Sequence, residues 1–401
     1  MEGDGMLHAF FIRDGQLNYR NRWIQTDRFK LERRLGKALS SSFNDTESIT
    51  EDIPHNTANT NIIQHAGKLF ALQETSCPLE IHSMNLDTLG EWNYRNQVPQ
   101  MSAHPHFDFD TGEMHSYAYS PGTNDVTYYI FNRDGVVTKA ETIQVPYSSF
   151  MHDFFITKDY VIFPVLPLTF NFERMQQGKS LIIWEPEKGA HIGIMPRNGT
   201  AKDMIWLSLE SFHAFHFMNA YQDGDAIILD GMKSERAHLF PDANGKMASI
   251  SESSPQLTRW IFNLKQKSAS TTKLDSMPAE FPRFDERFTG LPYRHGFAAA
   301  CVQSNDLELD ALIHYDLTTK SQIIREFGLG NTPSEPIFVP RHLNSAEGDG
   351  FILTIVYNKQ KDTSDIYILD AMNINKEPLA VVQLPHRIPN GFHGNWYSNQ
   401  K

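Results

Sequence analysis

The chain has 401 residues, 40% of them hydrophobic, enough to bury a large core. Its 48 acidic and 36 basic side chains give a net charge of −12 with histidines neutral, which argues against a nucleic-acid partner, because phosphate binding needs clustered Lys and Arg. Two cysteines, Cys77 and Cys301, make no disulfide framework and suit a reducing cytoplasm, and no apolar run approaches the ~18 residues of a membrane span.

The acidic start MEGDGMLHAFFIRDG lacks the basic region of a secretory signal, so no targeting segment is expected. A peripheral membrane contact through exposed Phe or Leu stays open. The best amphipathic helix falls within Thr26 to Leu39, over RFKLERRLGKAL. Beyond it the text turns to short β-rich runs broken by Gly, Asn or Asp. DVTYYIFNRDGVVTKAETIQV, SLIIWEPEKGAHIGIM and FILTIVYNKQKDTSDIYILDA each read as strands joined by a turn. Many short strands without a clear linker imply an all-β chain. A single propeller domain over residues 1–401 is the economical reading, with about six to eight blades of roughly 40 to 60 residues each.

The segment SFHAFHFMNAYQDGDAIILDG, residues 211 to 231, reads as two strands around the turn Gln222-Asp223-Gly224-Asp225. Its first strand carries two histidines among Phe, Met and Ala. Three residues apart, His213 and His216 would face opposite sides of an ideal strand, so one of them has an ordinary structural role. Similar polar residues recur at or near the start of successive strand groups: Glu74, His104, His152, His216, Glu280, Glu335 and His393. Their spacings are 30, 48, 64, 64, 55 and 58 residues, all but the first near one blade length. If each lies on the innermost strand of its blade, four imidazoles and three carboxylates meet on the axis. Four neutral imidazoles make a site for a borderline divalent metal, with carboxylates fixing the ring tautomers from behind. For Glu280, an ion pair with the nearby Arg283 is the competing reading. His65, His106, His115, His295 and His386 read as core, neighbouring or solvated residues.

The motifs SAHPHFDFDTGEMHSYAY, MHDFFITKDYVIFPV, HFMNAY, EFPRFDERFTG, SEPIFVP and FHGNW resemble, in that order, those of the carotenoid cleavage oxygenase family. The resemblance implies a seven-bladed β-propeller with loops and a short helix on one face and one Fe(II) on the axis. It implies His104, His152, His216 and His393 as iron ligands, with Glu74, Glu280 and Glu335 behind them. His216 rather than His213 is then the ligand of its segment, and no catalytic side chain is required beyond the metal centre. It also implies an oxidoreductase that cleaves a conjugated carbon–carbon double bond with O2 into two carbonyl products, in a dry tunnel. Apocarotenoid and stilbene-like alkenes are the implied substrate classes. Stilbene cleavers of the family resemble one another in a Tyr and a Lys that grip a phenol, and Phe43 and Gln73 stand at those substrate-binding places here. That departure favours an apocarotenoid or another conjugated alkene. Family members carry several dozen residues before the segment matching GDGMLH, so the first blade is expected to be incomplete. The alternatives are a catalytically impaired propeller holding a hydrophobic ligand, and an apocarotenoid isomerase or hydrolase on the same site.

Overall fold

The strand Gly350–Asn358 buries every second side chain from Gly350 to Val356, the pattern of a strand with one face toward a core. Such strands dominate the chain, whose computed structural model describes residues 3–39, 54–303 and 307–398. Three four-stranded antiparallel sheets follow one another. The first is built from Asn61–His65, Lys68–Leu72, Leu79–Ile81 and Thr88–Glu91. The second uses His106–Phe107, Met114–Tyr119, Asp125–Phe131 and Val137–Gln144. The third uses Phe155–Ile156, Tyr160–Val165, Ala190–Pro196 and Ile205–Leu209. It is interrupted by a hairpin, Leu168–Phe170 with Ile182–Trp184, and the short helix Phe172–Gln176. A seven-stranded sheet runs from Phe217–Asp223 to Ser321–Glu326, and a five-stranded sheet covers Asn331–Pro333 to Ala380–Gln383. Met6–Arg13 and Gln16–Trp23 form a separate two-stranded hairpin.

The architecture is therefore all-β and propeller-like, with few helices. The seven separate blades implied by the resemblance are not what the hydrogen bonding draws. Four sheets have four or five strands, and one continuous sheet has seven. The physical reason for the long sheet is the 17-residue strand Ser268–Phe284. Its first part pairs with Gln256–Asn263 and its last part with His295–Ala300, so one strand serves two neighbours.

The helix forms where amphipathicity placed it but is shorter, Asp27–Leu35. The Thr26 side chain accepts from the Phe29 N–H at its start. Gly36 ends it with φ of 67°, donating back to the Glu32 carbonyl. No described helix is long and apolar enough to cross a membrane.

The core lies between adjacent sheets. Phe155, Ile162 and Ile192 of the third sheet pack in one cluster with Leu229, Trp260 and Ile313 of the seven-stranded sheet. The chain's two ends also meet. Phe10, Leu17 and Tyr19 of the first hairpin pack against Leu384 and Ile388. The HGNW segment itself leans on the first four-stranded sheet and the turn before it. The His393 N–H donates to the Thr60 carbonyl, and the Asn395 amide to the Ile62 carbonyl at 2.7 Å.

Candidate metal centre

Apolar packing between sheets leaves the residues just ahead of the inner strands free to face one another. His104 precedes His106–Phe107, His152 precedes Phe155–Ile156, and His216 stands immediately before Phe217–Asp223. None of the three is on a strand, contrary to the inner-strand placement expected from spacing. The consequence for His213 is direct. Residues 211–216 are irregular apart from one bridge between His213 and Ser234, so strand alternation does not separate the two rings. Both line the same cavity.

His104, His152, His216 and His393 each offer a ring nitrogen to one cluster, all within 4.8 Å of one another. The His104 ring lies 4.5 Å from those of His152 and His393 and 5.2 Å from that of His216, centre to centre. These are the four histidines that spacing and motif singled out. The other candidates go elsewhere. His106 Nε2 lies 2.7 Å from the Phe154 carbonyl, His115 Nδ1 lies 2.7 Å from the Tyr128 hydroxyl, and His295 pairs with His314 at 3.0 Å.

Each of three rings has a carboxylate behind it. His152 Nδ1 is paired with Glu74, His216 Nδ1 lies 2.6 Å from Glu280, and His393 Nδ1 lies 2.9 Å from Glu335. Among the described residues no carboxylate is paired with His104. The backbone helps aim two of the acids. Glu74 lies just past the strand Lys68–Leu72 and is followed by Thr75 with φ of 59°; Glu280 is followed by Phe281 with φ of 54°. Left-handed backbone at residues this bulky costs about 1 to 3 kcal/mol and persists where the surroundings enforce it. Here the Phe281 N–H donates to the Glu280 carboxylate at 2.6 Å, and its ring stacks on His216 with 5.4 Å between centres. Glu335 lies between two short strands rather than within one, as does the turn that holds Glu74.

Arg283 pairs with Glu335 and Glu286, and its other contact is the Asn395 side chain at 2.7 Å. No ion pair joins it to Glu280. Burial pushes the Glu335 carboxyl up, but Arg283 and then His393 outweigh it and hold the group at about 2. Burial, reinforced by the neighbouring rings, holds His104 well below its usual range. At His216 burial works downward, yet Glu280 with the other acids raises the ring overall.

These residues fit a cation. His152 Nε2 and His216 Nε2 are 3.0 Å apart while both Nδ1 atoms face carboxylates. With Nδ1–H donated outward, two Nε2 lone pairs point at each other. The buried His104 Nε2 has no hydrogen-bond partner. A bound cation would accept those lone pairs in place of that repulsion.

Two cavities meet at the cluster. One, about 340 Å³, is reached by His152, His216 and His393 and walled by Phe150, Phe170 and Phe215. The other, about 990 Å³, touches His104, His216 and His393 and carries Arg283, Arg287 and Arg341. Of the two expected substrate residues, Phe43 lies outside the described residues. Gln73 does line the smaller cavity, but its amide oxygen already accepts from the Thr57 N–H at 3.2 Å and the Ser76 hydroxyl at 2.7 Å.

The sequence reading missed Asp153. Its buried carboxylate lies 3.2 Å from His106 Nε2 and accepts from the Phe154 and Phe217 N–H groups. It thereby ties the segment after His152 to the segment after His216. A lone acid inside the apolar run FMHDFFI was the available signal, since such a charge is costly to bury unpaired. Arg283 and Asn395 gave no comparable signal.

A family model described as retinal pigment epithelial membrane protein matches residues 1–398. The chain is 36% identical to isoeugenol monooxygenase of Pseudomonas putida, over 99% of this chain and 87% of that protein. It is 33% identical to lignostilbene-alpha,beta-dioxygenase isozyme III of Sphingomonas paucimobilis, over 100% of this chain and 87% of that protein. The crystal structure of Pseudomonas brassicacearum lignostilbene dioxygenase matches with a TM-score of 0.93 at 30% identity, covering 99% of this chain and 87% of that one.

Proposed function

The chain belongs to the retinal pigment epithelial membrane protein family, the carotenoid cleavage oxygenases of the sequence resemblance, and from that premise we propose a dioxygenase that cleaves the double bond of a small conjugated alkene. The observation that carries this reading is the cluster of four imidazoles, three backed by carboxylates, opening on an aromatic-walled cavity. His104, His152, His216 and His393 would hold one Fe(II). Iron bound there supplies the activation of dioxygen.

The chain's own part is positional. Glu74, Glu280 and Glu335 hold the Nδ1 protons of three rings, which turns their Nε2 atoms toward the cluster. Phe150, Phe170 and Phe215 bind the apolar body of the alkene and keep water away from the reacting carbons. The balance is one alkene plus O2 to two carbonyls, each carbon taking one oxygen. No side-chain proton is consumed.

Within the two substrate classes, the small cavity and the relatives that act on isoeugenol and lignostilbenes favour an aryl alkene over a long apocarotenoid. Its volume sits near the lower end of the ~300–1,000 Å³ usual for ligand sites. A single seven-bladed propeller domain belongs to the same reading. Dividing the long sheet at Ser268–Phe284 and counting the first hairpin gives seven units in chain order, and the packing of Phe10 on Ile388 supports closure. A cytoplasmic location is supported by the sparse cysteine usage, Cys77 and Cys301 alone, which offers no disulfide framework. Exposed Phe172 and Leu239, near the aromatic cavity, suit a peripheral membrane contact.

The test is product analysis under ¹⁸O₂ with isoeugenol, 4-hydroxystilbene and an apocarotenal, alongside iron determination. Labelled aldehyde from an aryl alkene is the expected result. Iron-loaded protein that yields no carbonyl from any of the three would instead indicate a ligand-binding propeller. Isomerised or hydrolysed product without label would point to the third chemistry.

A further inference from the structure

One buried imidazole is left without work. His213 is 4% exposed, and its backbone is fixed by exchange of hydrogen bonds with Ser234, at 3.0 and 2.8 Å. Its ring stands edge-on to Phe215, 4.4 Å between centres, and to Trp184 at 6.2 Å. Among the described residues neither ring nitrogen has a hydrogen-bond partner. The residue lines the same cavity as His152, His216 and His393, so its free nitrogens and the metal cluster share one space.

A purely apolar ring would offer the cavity no polar contact there, whereas an imidazole offers a donor and an acceptor. A ligand oxygen at that place can use both. Burial, reinforced by His152 and His216, drives His213 down to about 3, so the ring is neutral at physiological pH. A neutral imidazole has one donor and one acceptor, which matches a hydroxyl group, itself both. Phe150, Phe170 and Phe215 line the same cavity, a wall suited to an aromatic ring carrying that hydroxyl.

We propose that His213 determines specificity by hydrogen-bonding a hydroxyl at one end of an aryl alkene whose double bond lies at the histidine cluster. This rests on the function proposed above for the same cavity. It places polar recognition on a residue other than Phe43 or Gln73.

The experiment separates the two ideas by using ligands that cannot be cleaved. Calorimetric binding of 4-hydroxybibenzyl and bibenzyl, which lack the alkene, is measured on the iron-loaded protein. The hydroxylated ligand is expected to bind about tenfold more tightly or better, the worth of one buried hydrogen bond. His213→Phe should erase that preference while binding bibenzyl as before, and His213→Gln, which keeps a donor and an acceptor, should retain part of it. An equal affinity of the unmodified protein for the two ligands overturns the proposal without any variant. So does a His213→Phe protein that keeps the preference. Should the preference hold while no alkene is cleaved, the cleavage reading fails and the His213 subsite stands. Carbonyl products without the preference overturn the subsite and leave the cleavage reading standing.

Discussion

His152 and His216 approach Nε2 to Nε2 at 3.0 Å, each with its other ring nitrogen held by a glutamate. Carboxylates that fix both Nδ1 protons leave the facing atoms as lone pairs, an arrangement a cation stabilises and an empty centre does not. Adding Fe(II) to chelator-treated protein should therefore raise its melting temperature. His216→Ala should abolish that rise and the bound iron together, while the metal-free variant melts no earlier than metal-free wild type by more than a few degrees. Differential scanning calorimetry with metal analysis checks it. A metal-free variant that collapses would show the cluster to be a structural core instead.

Arg283 is the link between the fourth ring and the fold. It pairs with Glu335, which holds His393, and with Asn395, which reaches the first sheet. Arg283→Met leaves a buried carboxylate without its cation. The expected loss is about 3 to 5 kcal/mol in denaturant unfolding. Limited proteolysis should also cut the chain more readily near residue 390, because the Arg283–Asn395 bond holds that segment.

His115 provides a titration remote from the four clustered rings. It is fully buried against Tyr128, and burial, aided by Arg197, lowers it to about 3. The folded protein thus refuses a proton that the unfolded chain accepts near 6.5. Stability attributable to this group is fully present above that pH and falls as pH drops toward 3, at up to about 1.4 kcal/mol per pH unit. His115→Gln should flatten the pH dependence of unfolding free energy between pH 6 and 4 by up to one proton's slope. An unchanged slope would contradict a neutral, buried His115.

Gln73 accepts two hydrogen bonds through its amide oxygen, one of them from the Thr57 backbone. Gln73→Leu should cost about 1 to 3 kcal/mol of stability by leaving that N–H unpaired. The preference for hydroxylated over unsubstituted bibenzyl should remain within about twofold of wild type, because the missing interaction is structural. Equilibrium unfolding and the same calorimetry read both effects.

Elements with a local cause are legible in the order of the amino acids alone. Alternating burial marks Gly350–Asn358, the Asp223-Gly224 turn joins Phe217–Asp223 to Ala226–Lys233, and Thr26 and Gly36 bound the helix. The four histidines and three glutamates also stand out there, because polar residues recurring at blade-length intervals in apolar text are uncommon. Contacts between distant segments emerge only in the folded chain. Nothing in the text pairs Arg283 with Glu335 rather than Glu280, or binds Asp153 to the Phe217 backbone. His213 and His216 share a cavity because their segment is irregular, and periodicity describes only a regular strand. Period and propensity act over a few residues; the direction in which a ring points at the hub is fixed by neighbours dozens to hundreds of residues away.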